Sequence, residues 1–398
     1  VRLAVPATEA SGAIRIAPVK GALDKRRFLS LVDTIYQDDR HWVAPLRVEV
    51  AKLLSPRKNP FFDDGEARFW LAWRGRQVVG RISAQINHSH LKLHRDETGH
   101  FGFLEAIDDQ AVFDALLATA ENWLRGRGMR RIAGPYSLSI NDEVGVLISG
   151  FDSSPTVMMA HAPAYYAERV TQAGYRKIKD LHAYRLDLRA VNEVREQRLH
   201  RAAALVRADG RVTTRRLDAA AFDADMRLLL DIYNDAWEGN WGFLPVTERE
   251  ARALIASVRP VIRPDLTVIA MIDGKAAAMA VALPDINELI SDLGGRLFPF
   301  DWIKLLWRLK RGRPKSARVI LAGVRKAYQD SIASGAMISL MLDDLLTAAR
   351  AIGLEMVEFS WILEDNVSAT AISRAGAPLS KVYRIYAKDL AATPAPAD

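Results

Sequence analysis

The spacing of apolar and polar positions changes along the chain in a repeating order. Residues 318–324 (RVILAGV) are apolar and β-branched, which predicts a strand. The polar stretch 325–334 follows, and then Met337, Leu340, Met341, Leu345 and Leu346 recur at helical spacing. Gly353 closes that helix, 356–363 read as an apolar-rich strand, and a short helix is predicted from Asn366 to Gly376, before a closing strand at 383–388. The same order occurs earlier. Residues 14–19 predict a strand, 24–37 a helix, and 67–87 two strands joined at Arg74-Gly75-Arg76. A strand at 102–107, helix at 110–127, strand at 130–136, helix at 164–173 and strand at 181–188 follow.

Three landmarks tie the two series together. Hairpin turns fall at Gly75 and Gly274, late helices end at Gly174 and Gly376, and closing strands carry Tyr184-Arg185 and Tyr383-Arg384, a repeat of about 200 residues. The expected organisation is a leader 1–13, a first domain 14–190, a largely helical charged linker 191–220, a second domain 221–390 and a tail 391–398. The second copy carries an insertion, 285–316, that the first lacks at that length.

The order strand, polar loop, helix, strand, short helix, strand in the second copy resembles the acyl-CoA-binding half of the GNAT (Gcn5-related N-acyltransferase) fold. The family loop R/Q-x-x-G-x-G/A is matched most nearly by Tyr328-Gln329-Asp330-Ser331-Ile332-Ala333, with Ser331 where Gly is usual and Tyr328 where Arg is usual. Asn366, Ala369, Ile372 and Gly376 approximate the family's N-x-x-A-x-x-L…G helix; its frequent tyrosine acid would fall at Ser373. The resemblance implies an α/β (α+β) protein of two tandem GNAT-like domains, each a mixed, mostly antiparallel twisted sheet flanked by helices. It also implies an acyl-CoA co-substrate held by Ala322, Gly323, Val324, Tyr328, Ser331, Ile332, Ala333 and Asn366. A helix N-terminus presents unpaired N–H groups and the positive end of a dipole, which suit a diphosphate. In the first copy the corresponding loop is Asp108-Asp109-Gln110, and two carboxylates would repel one. CoA is therefore expected in the second copy alone.

Composition narrows the class. With 398 residues and 49% hydrophobic positions the chain can bury a large core, and with no cysteine it has neither a disulfide framework nor a thiolate site. No N-terminal apolar run predicts a secretory signal, and no window is expected to reach the roughly 20 apolar residues of a membrane span. The cytoplasm is the expected location, with room for peripheral contact at the inner membrane. The net charge of +7 suits an anionic partner such as CoA or an anionic bilayer; arginine-rich composition alone would give the same number, and no RNA-reading motif accompanies it. His88, His90, His94 and His100 invite a metal reading, but their spacing lacks a carboxylate pattern and they read as surface-loop residues, so no metal is expected.

Amide formation from a thioester needs a neutral amine, and therefore a base. Glu358 shares one face of its strand with Ser360; it is read either as a buried base or as a salt-bridged structural carboxylate. Glu364 is the second candidate base, its alternative role being to cap the short helix. Asn234, Trp237, Asn240, Trp241 and Phe243, in YNDAWEGNWGFLP, suit a site that holds an apolar chain and orients a polar head. Asn141 and Glu143, in the long link SLSINDEVGVLISGFD, could bind an acceptor amine or hydroxyls, or form an acidic turn. In the insertion, Asp301, Lys304, Arg308 and Arg311 line one helical stripe and Trp302, Ile303, Leu305, Leu306, Trp307 and Leu309 cover the rest. This is an interfacial pattern, or else a helix packed in a groove.

Taken together, the chain resembles tandem-GNAT acyltransferases, and among them the bacterial ceramide synthase-like group. That resemblance implies transfer of a long-chain fatty acyl group from acyl-CoA, or an acyl carrier protein, to the amine of a lipid such as a sphingoid base. A Fem-like aminoacyl transferase and a GNAT module that binds without catalysis are the alternatives.

Overall fold

The computed structural model describes residues 12–366, 372 and 376–390. Residues 1–11 of the expected leader, Ala369, Ser373 and the tail 391–398 lie outside them. The first half contains β1 (Ile14–Pro18), α1 (Gly21–Ile35), α2 (Arg47–Leu53), β2 (Gly65–Arg74), β3 (Gln77–Asn87) and α3 (His88–His94). It continues through β4 (Thr98–Ala106), α4 (Gln110–Arg125), β5 (Arg131–Gly134), β6 (Val146–Ser149), α5 (Tyr166–Gln172) and β7 (Arg176–Asp187). After α6 (Glu193–Asp209) come β8 (Val212–Arg216), α7 (Phe222–Trp237), α8 (Glu248–Val258), β9 (Thr267–Ile272), β10 (Lys275–Pro284), α9 (Asn287–Ile290) and α10 (Asp301–Arg311). The second half ends with β11 (Ser316–Val324), α11 (Ile332–Ala351), β12 (Met356–Leu363) and β13 (Leu379–Asp389).

The stretch expected to be a helical linker thus also holds a strand. Val212-Thr213-Thr214 is a β-branched run, and β8 pairs antiparallel with β9 as β1 does with β2. Both hairpin turns occur as expected, with Gly75 and Gly274 in the left-handed region at φ 58° and 77°.

All the strands belong to one mixed sheet, in the order β1-β2-β3-β4-β5-β13-β7-β12-β11-β10-β9-β8, with β6 added beside β13. Among the described residues only β4·β5 and β11·β12 are parallel. The closing strands cross between the copies. β13 pairs with β5 of the first half, β7 pairs with β12 of the second, and β7 and β13 pair with each other at the centre. Helices cover both faces: α4 and α1 in the first half, α11 and the α7/α8 pair in the second. Val157 of the first half is buried in the core under α7 and α8, so the copies share interior as well as sheet.

Helix α11 corrects one expectation. It is 20 residues long and apolar enough, by length and composition, to cross a membrane. Its spacing explains its actual place, because Met337, Leu340, Met341, Leu345 and Leu346 are all buried against the sheet, each contributing about 1.5–3 kcal/mol by leaving water.

Candidate active site

The β11·β12 ladder ends at Val319↔Phe359, and β11 then runs on to Val324 paired only with β10. Its other edge is the kind of exposed backbone to which pantetheine amides can pair. Ala322 on this edge is exposed, and its carbonyl accepts a hydrogen bond from Trp237 Nε1 at 3.0 Å. Gly323 is needed where it stands, since a Cβ there would lie 2.9 Å from the Ala236 Cβ and 3.3 Å from the same indole nitrogen. Gln329 Nε2 donates to the Val324 carbonyl at 2.8 Å and to Ala236 O at 3.0 Å, tying the loop to α7.

Asp330 takes a left-handed φ of 57°, and Ser331 caps α11 by accepting from the Ser334 amide at 3.2 Å. Ile332 on the first turn is 94% exposed, while Tyr328 and Ala333 pack against the core beneath that turn. Tyr328 therefore fills space where the family's arginine would reach outward. Arg325 and Lys326 are paired with Asp231 and Glu238 of the α7 segment. The loop thus offers an anion backbone N–H groups and a helix dipole with no carboxylate of its own cap in the way. Asn366 follows β12, its amide donating to Leu363 O at 3.0 Å.

The same places in the first half are closed. Tyr136 N donates to Phe101 O at 2.8 Å, and a Cβ on Gly102 would lie 1.6 Å from Tyr136 O. Beyond it, Tyr165 donates to Ala106 O at 2.7 Å and Ala106 N donates to the Tyr166 hydroxyl at 3.0 Å. Glu105, which stands opposite Arg81 in the register, is plugged by hydroxyls of Tyr36 and Tyr166 at 2.9 and 2.6 Å. The α4 cap is Asp109, a carboxylate, paired in turn with Arg74.

Glu358 is 1% exposed. Its Oε1 accepts from Thr156 Oγ1 at 2.6 Å and Ser360 Oγ at 2.7 Å, and Arg185 lies 3.5 Å from Oε2. Arg318, also buried, donates to Ser360 Oγ at 2.9 Å and to the Val157 carbonyl at 2.9 Å, so the loop at Thr156 and Val157 lies over the carboxylate. The neighbouring Lys381 is fully buried, donates to Ser153 O at 2.6 Å, and has its pKa pushed down to about 8 by burial and by Arg185. This arrangement holds loop to sheet. Glu364 is bound to Lys177 at 2.6 Å and accepts from Asp180 N at 3.0 Å. Burial would raise its pKa, but these partners outweigh it and hold the carboxyl below its usual value, which makes it a poor base.

The link after β5 reaches the other way, across the seam onto α7. Asn141 Oδ1 accepts from the Tyr233 hydroxyl at 3.2 Å, one helical turn before Trp237. Ser137 N donates to Glu143 O at 2.9 Å, closing the loop. Glu143 is exposed to solvent, and the charges nearest to it are those of Glu105, Arg81 and Arg318. Burial and the Glu105 carboxylate push its pKa up to about 7, against the pull of Arg81 and Arg318. Asp142 beside it is likewise raised to about 7, by burial first and then by Glu143.

The YNDAWEGNWGFLP residues divide. Asn234 braces the loop, accepting from Val246 N at 3.0 Å, so the paired asparagines are not both ligands in waiting. Phe243 is core, 5% exposed. Trp237 and Trp361 meet edge to face at 6.3 Å, and Asn240 and Trp241 line a cavity of about 430 Å³. Its opposite wall holds the histidines. His90 and His100 are buried rather than surface-loop residues, because α3 and β4 carry them inward. His90 lies 3.1 Å from Asp96, the His90 ring stands 4.5 and 4.8 Å from those of His94 and His100, and burial takes His100 down to about 3. Among the described residues no three His or carboxylate groups are placed to share a metal ion. The i, i+4 spacing of His90 and His94 is the sequence signal for this wall.

No family model matches the chain. It is 41% identical over 389 residues to the bacterial ceramide synthase of Caulobacter vibrioides (strain NA1000 / CB15N), covering 97% of this chain and all of that protein. It is 40% identical over 378 residues to Protein YghO of Escherichia coli (strain K12), covering 92% and 93% of the two. In fold it is similar to a tandem GNAT protein from the clavulanic acid biosynthesis pathway, with TM-score 0.56, 14% identity and coverage of 96% of this chain and all of that one. A GCN5-related N-acetyltransferase from Sphaerobacter thermophilus matches with TM-score 0.52, 13% identity and coverage of 95% and 96%. The fold implies an acyl-CoA donor, which the open edge of β11 and the neutral cap of α11 fit. On these grounds the chain belongs to the family of the bacterial ceramide synthase, a GNAT-type N-acyltransferase built as a tandem repeat.

Proposed function

We propose that this protein transfers a long-chain fatty acyl group from acyl-CoA to the amine of a sphingoid base. The observation that carries the reading is the near-full-length identity with the Caulobacter enzyme, joined to a donor edge that is open in the second half alone. The backbone of Ala322, Gly323 and Val324 would hold the pantetheine arm, and the first turn of α11, from Ser331 to Ala333, the diphosphate. Asn141, Asn240 and Trp241 face the acceptor side. In the reaction the amine nitrogen bonds to the thioester carbon, the C–S bond breaks, CoA leaves as a thiolate, and the amine gives up a proton. Glu143 takes that proton, since it is wetted and poised near neutral pH, whereas Glu358 is sealed under the Thr156 loop.

The test is to incubate the purified protein with palmitoyl-CoA and a long-chain amino alcohol and to follow both N-acyl product and free CoA by mass spectrometry. Stoichiometric amide and CoA are expected. Hydrolysis of the thioester without amide, or acylation confined to short polar amines, would overturn the lipid-acceptor reading.

A further inference from the structure

Helix α10 is turned inside out relative to an ordinary surface helix, which buries its apolar face and leaves the charged one in water. Here the middle of the charged stripe meets the protein. Lys304 and Arg308 both pair with Asp292, and Arg308 donates to the Leu289 carbonyl at 2.6 Å. No residue of α10 is buried. Trp302, Ile303, Leu306 and Trp307 are 43 to 59% exposed, and Phe298 and Phe300 just before them 80% and 73%. Apolar residues scattered singly over a surface need no explanation, but a contiguous set this size marks an interaction site. The groove-packed alternative fails, because the face that would fill a groove points outward.

Charge says what covers it. Between residues 296 and 316 the sequence has seven cations and a single acid, Asp301. Lys310, Arg311 and Arg313 at the end of the helix are exposed, and among the described residues none of them has an ion-pair partner. Spacing puts Lys310 in the middle of the outward apolar face, where its stem can lie along that surface and its ammonium reach beyond it. A protein groove lined with carboxylates could match the charge. It would not need two phenylalanines and two tryptophans exposed on the approach to those cations, whereas the boundary of an anionic bilayer suits both features.

The root of the insertion is also joined to the first half, through the loop that covers Glu358. Asp285 accepts from Val157 N at 2.9 Å and Asn287 donates to Pro155 O at 2.9 Å, on either side of the Thr156 that holds Glu358. On its far side, Gly295 O accepts from Arg47 N of the first half at 2.9 Å.

We propose that residues 298–313 form an interfacial foot that seats the enzyme on an anionic bilayer, with Trp302 and Trp307 at headgroup depth and Lys310, Arg311 and Arg313 against lipid phosphates. As a membrane contact this stands on the exposed helix; as a delivery surface for a lipid acceptor it rests on the function proposed above. The full chain would be floated with vesicles of phosphatidylglycerol and phosphatidylethanolamine, and with neutral phosphatidylcholine. Wild type should float with the first, about tenfold less with the second, and less with the first as salt is raised. Trp302→Glu with Trp307→Glu should abolish flotation while N-acylation of a water-soluble short amine survives. Should that variant fold poorly, Lys310→Gln, Arg311→Gln and Arg313→Gln together should remove the preference for anionic vesicles. Wild type that does not float, or a tryptophan double variant that still does, would overturn the foot. So would light scattering showing a dimer that the double variant dissolves, with no vesicle binding. Flotation without any amide product would instead sink the acyltransferase substrate and leave the foot standing.

Discussion

The two halves repeat one fold and differ at every point where a donor would touch it. In the second, β11 leaves its parallel partner after Val319 and keeps an edge that no strand covers, its Ala322 and Val324 carbonyls bonded to the Trp237 and Gln329 side chains; in the first, the Tyr136 amide and the Tyr165 and Tyr166 hydroxyls close the same wedge. Where Ser331 caps α11 with a neutral hydroxyl, Asp109 caps α4 with a carboxylate that already occupies the anion position. Opposite β10, Ala322 leaves space, and opposite β3, Glu105 fills it with a hydrogen-bonded plug. Under the proposed function the first half would be a wall for the second, and through Asn141 and Glu143 it would also furnish the acceptor side. A duplicated binding fold becomes a two-substrate enzyme when one copy gives up its own ligand.

The sharpest way to break this picture is at Glu143, because a first-half residue should then control second-half chemistry. Glu143→Gln should lower kcat/KM by about 10²–10⁴-fold and flatten a pH profile that otherwise rises through about pH 7, while CoA affinity stays unchanged. Stability supplies an independent sign. The folded-state pKa is raised, so the protonated form is favoured by folding, and that contribution is present below the ordinary value of 4.5 and lost as pH rises through 7. The Gln variant should thus melt higher than wild type at pH 8 and not at pH 4. A flat wild-type profile would remove Glu143 from the proton path.

Next in size, Ser331→Asp with Ala333→Asp should weaken CoA binding by at least about 10²-fold in calorimetry, by setting like charges against the diphosphate. Asp108→Asn with Asp109→Asn should leave the affinity where it was. Equal losses in both pairs would mean that both halves bind. Gly102→Ala forces a Cβ onto a backbone carbonyl and should cost about 3 kcal/mol in denaturant unfolding, whereas Gly323→Ala, facing side-chain atoms of α7, should cost less. Smallest is Thr156→Ala. It takes one donor from a buried carboxylate and should cost about 1–2 kcal/mol, with the Ser360 bond to Glu358 retained.

Much of this architecture could be read from periodicity, and the reasons for the exceptions are physical. Hairpins at Gly75 and Gly274, the α11 stripe and the central strands follow from local spacing and turn chemistry. The crossing of β7 and β13 does not, because both strands alternate in the same way and pattern alone cannot tell β5 from β12 as a partner. Glu143 was legible as a polar group in a long link, but its raised pKa comes from burial and from Glu105, against the pull of Arg81 and Arg318, an environment that only folding assembles. Asn234 looked like a ligand because its bond to Val246 spans a loop whose path no pattern reveals. In α10 the two faces were plain from spacing; which one points inward was set by Asp292, outside the helix. The β-branched run that became β8 was hidden by the charged helix before it.

The crossed closing strands also make the chain indivisible in a way that its duplicated sequence conceals. A nick between α6 and β8 would not release two domains. Each fragment would carry away the strand that completes the other's sheet, and neither would have a covered central strand alone. The expected behaviour is that of complementing fragments: separately expressed pieces 1–210 and 211–398 should be insoluble apart and regain one cooperative melting transition when co-expressed. Chain synthesis meets the same constraint, since one edge of β5 waits unpaired until β13, the last of the described strands, has been made.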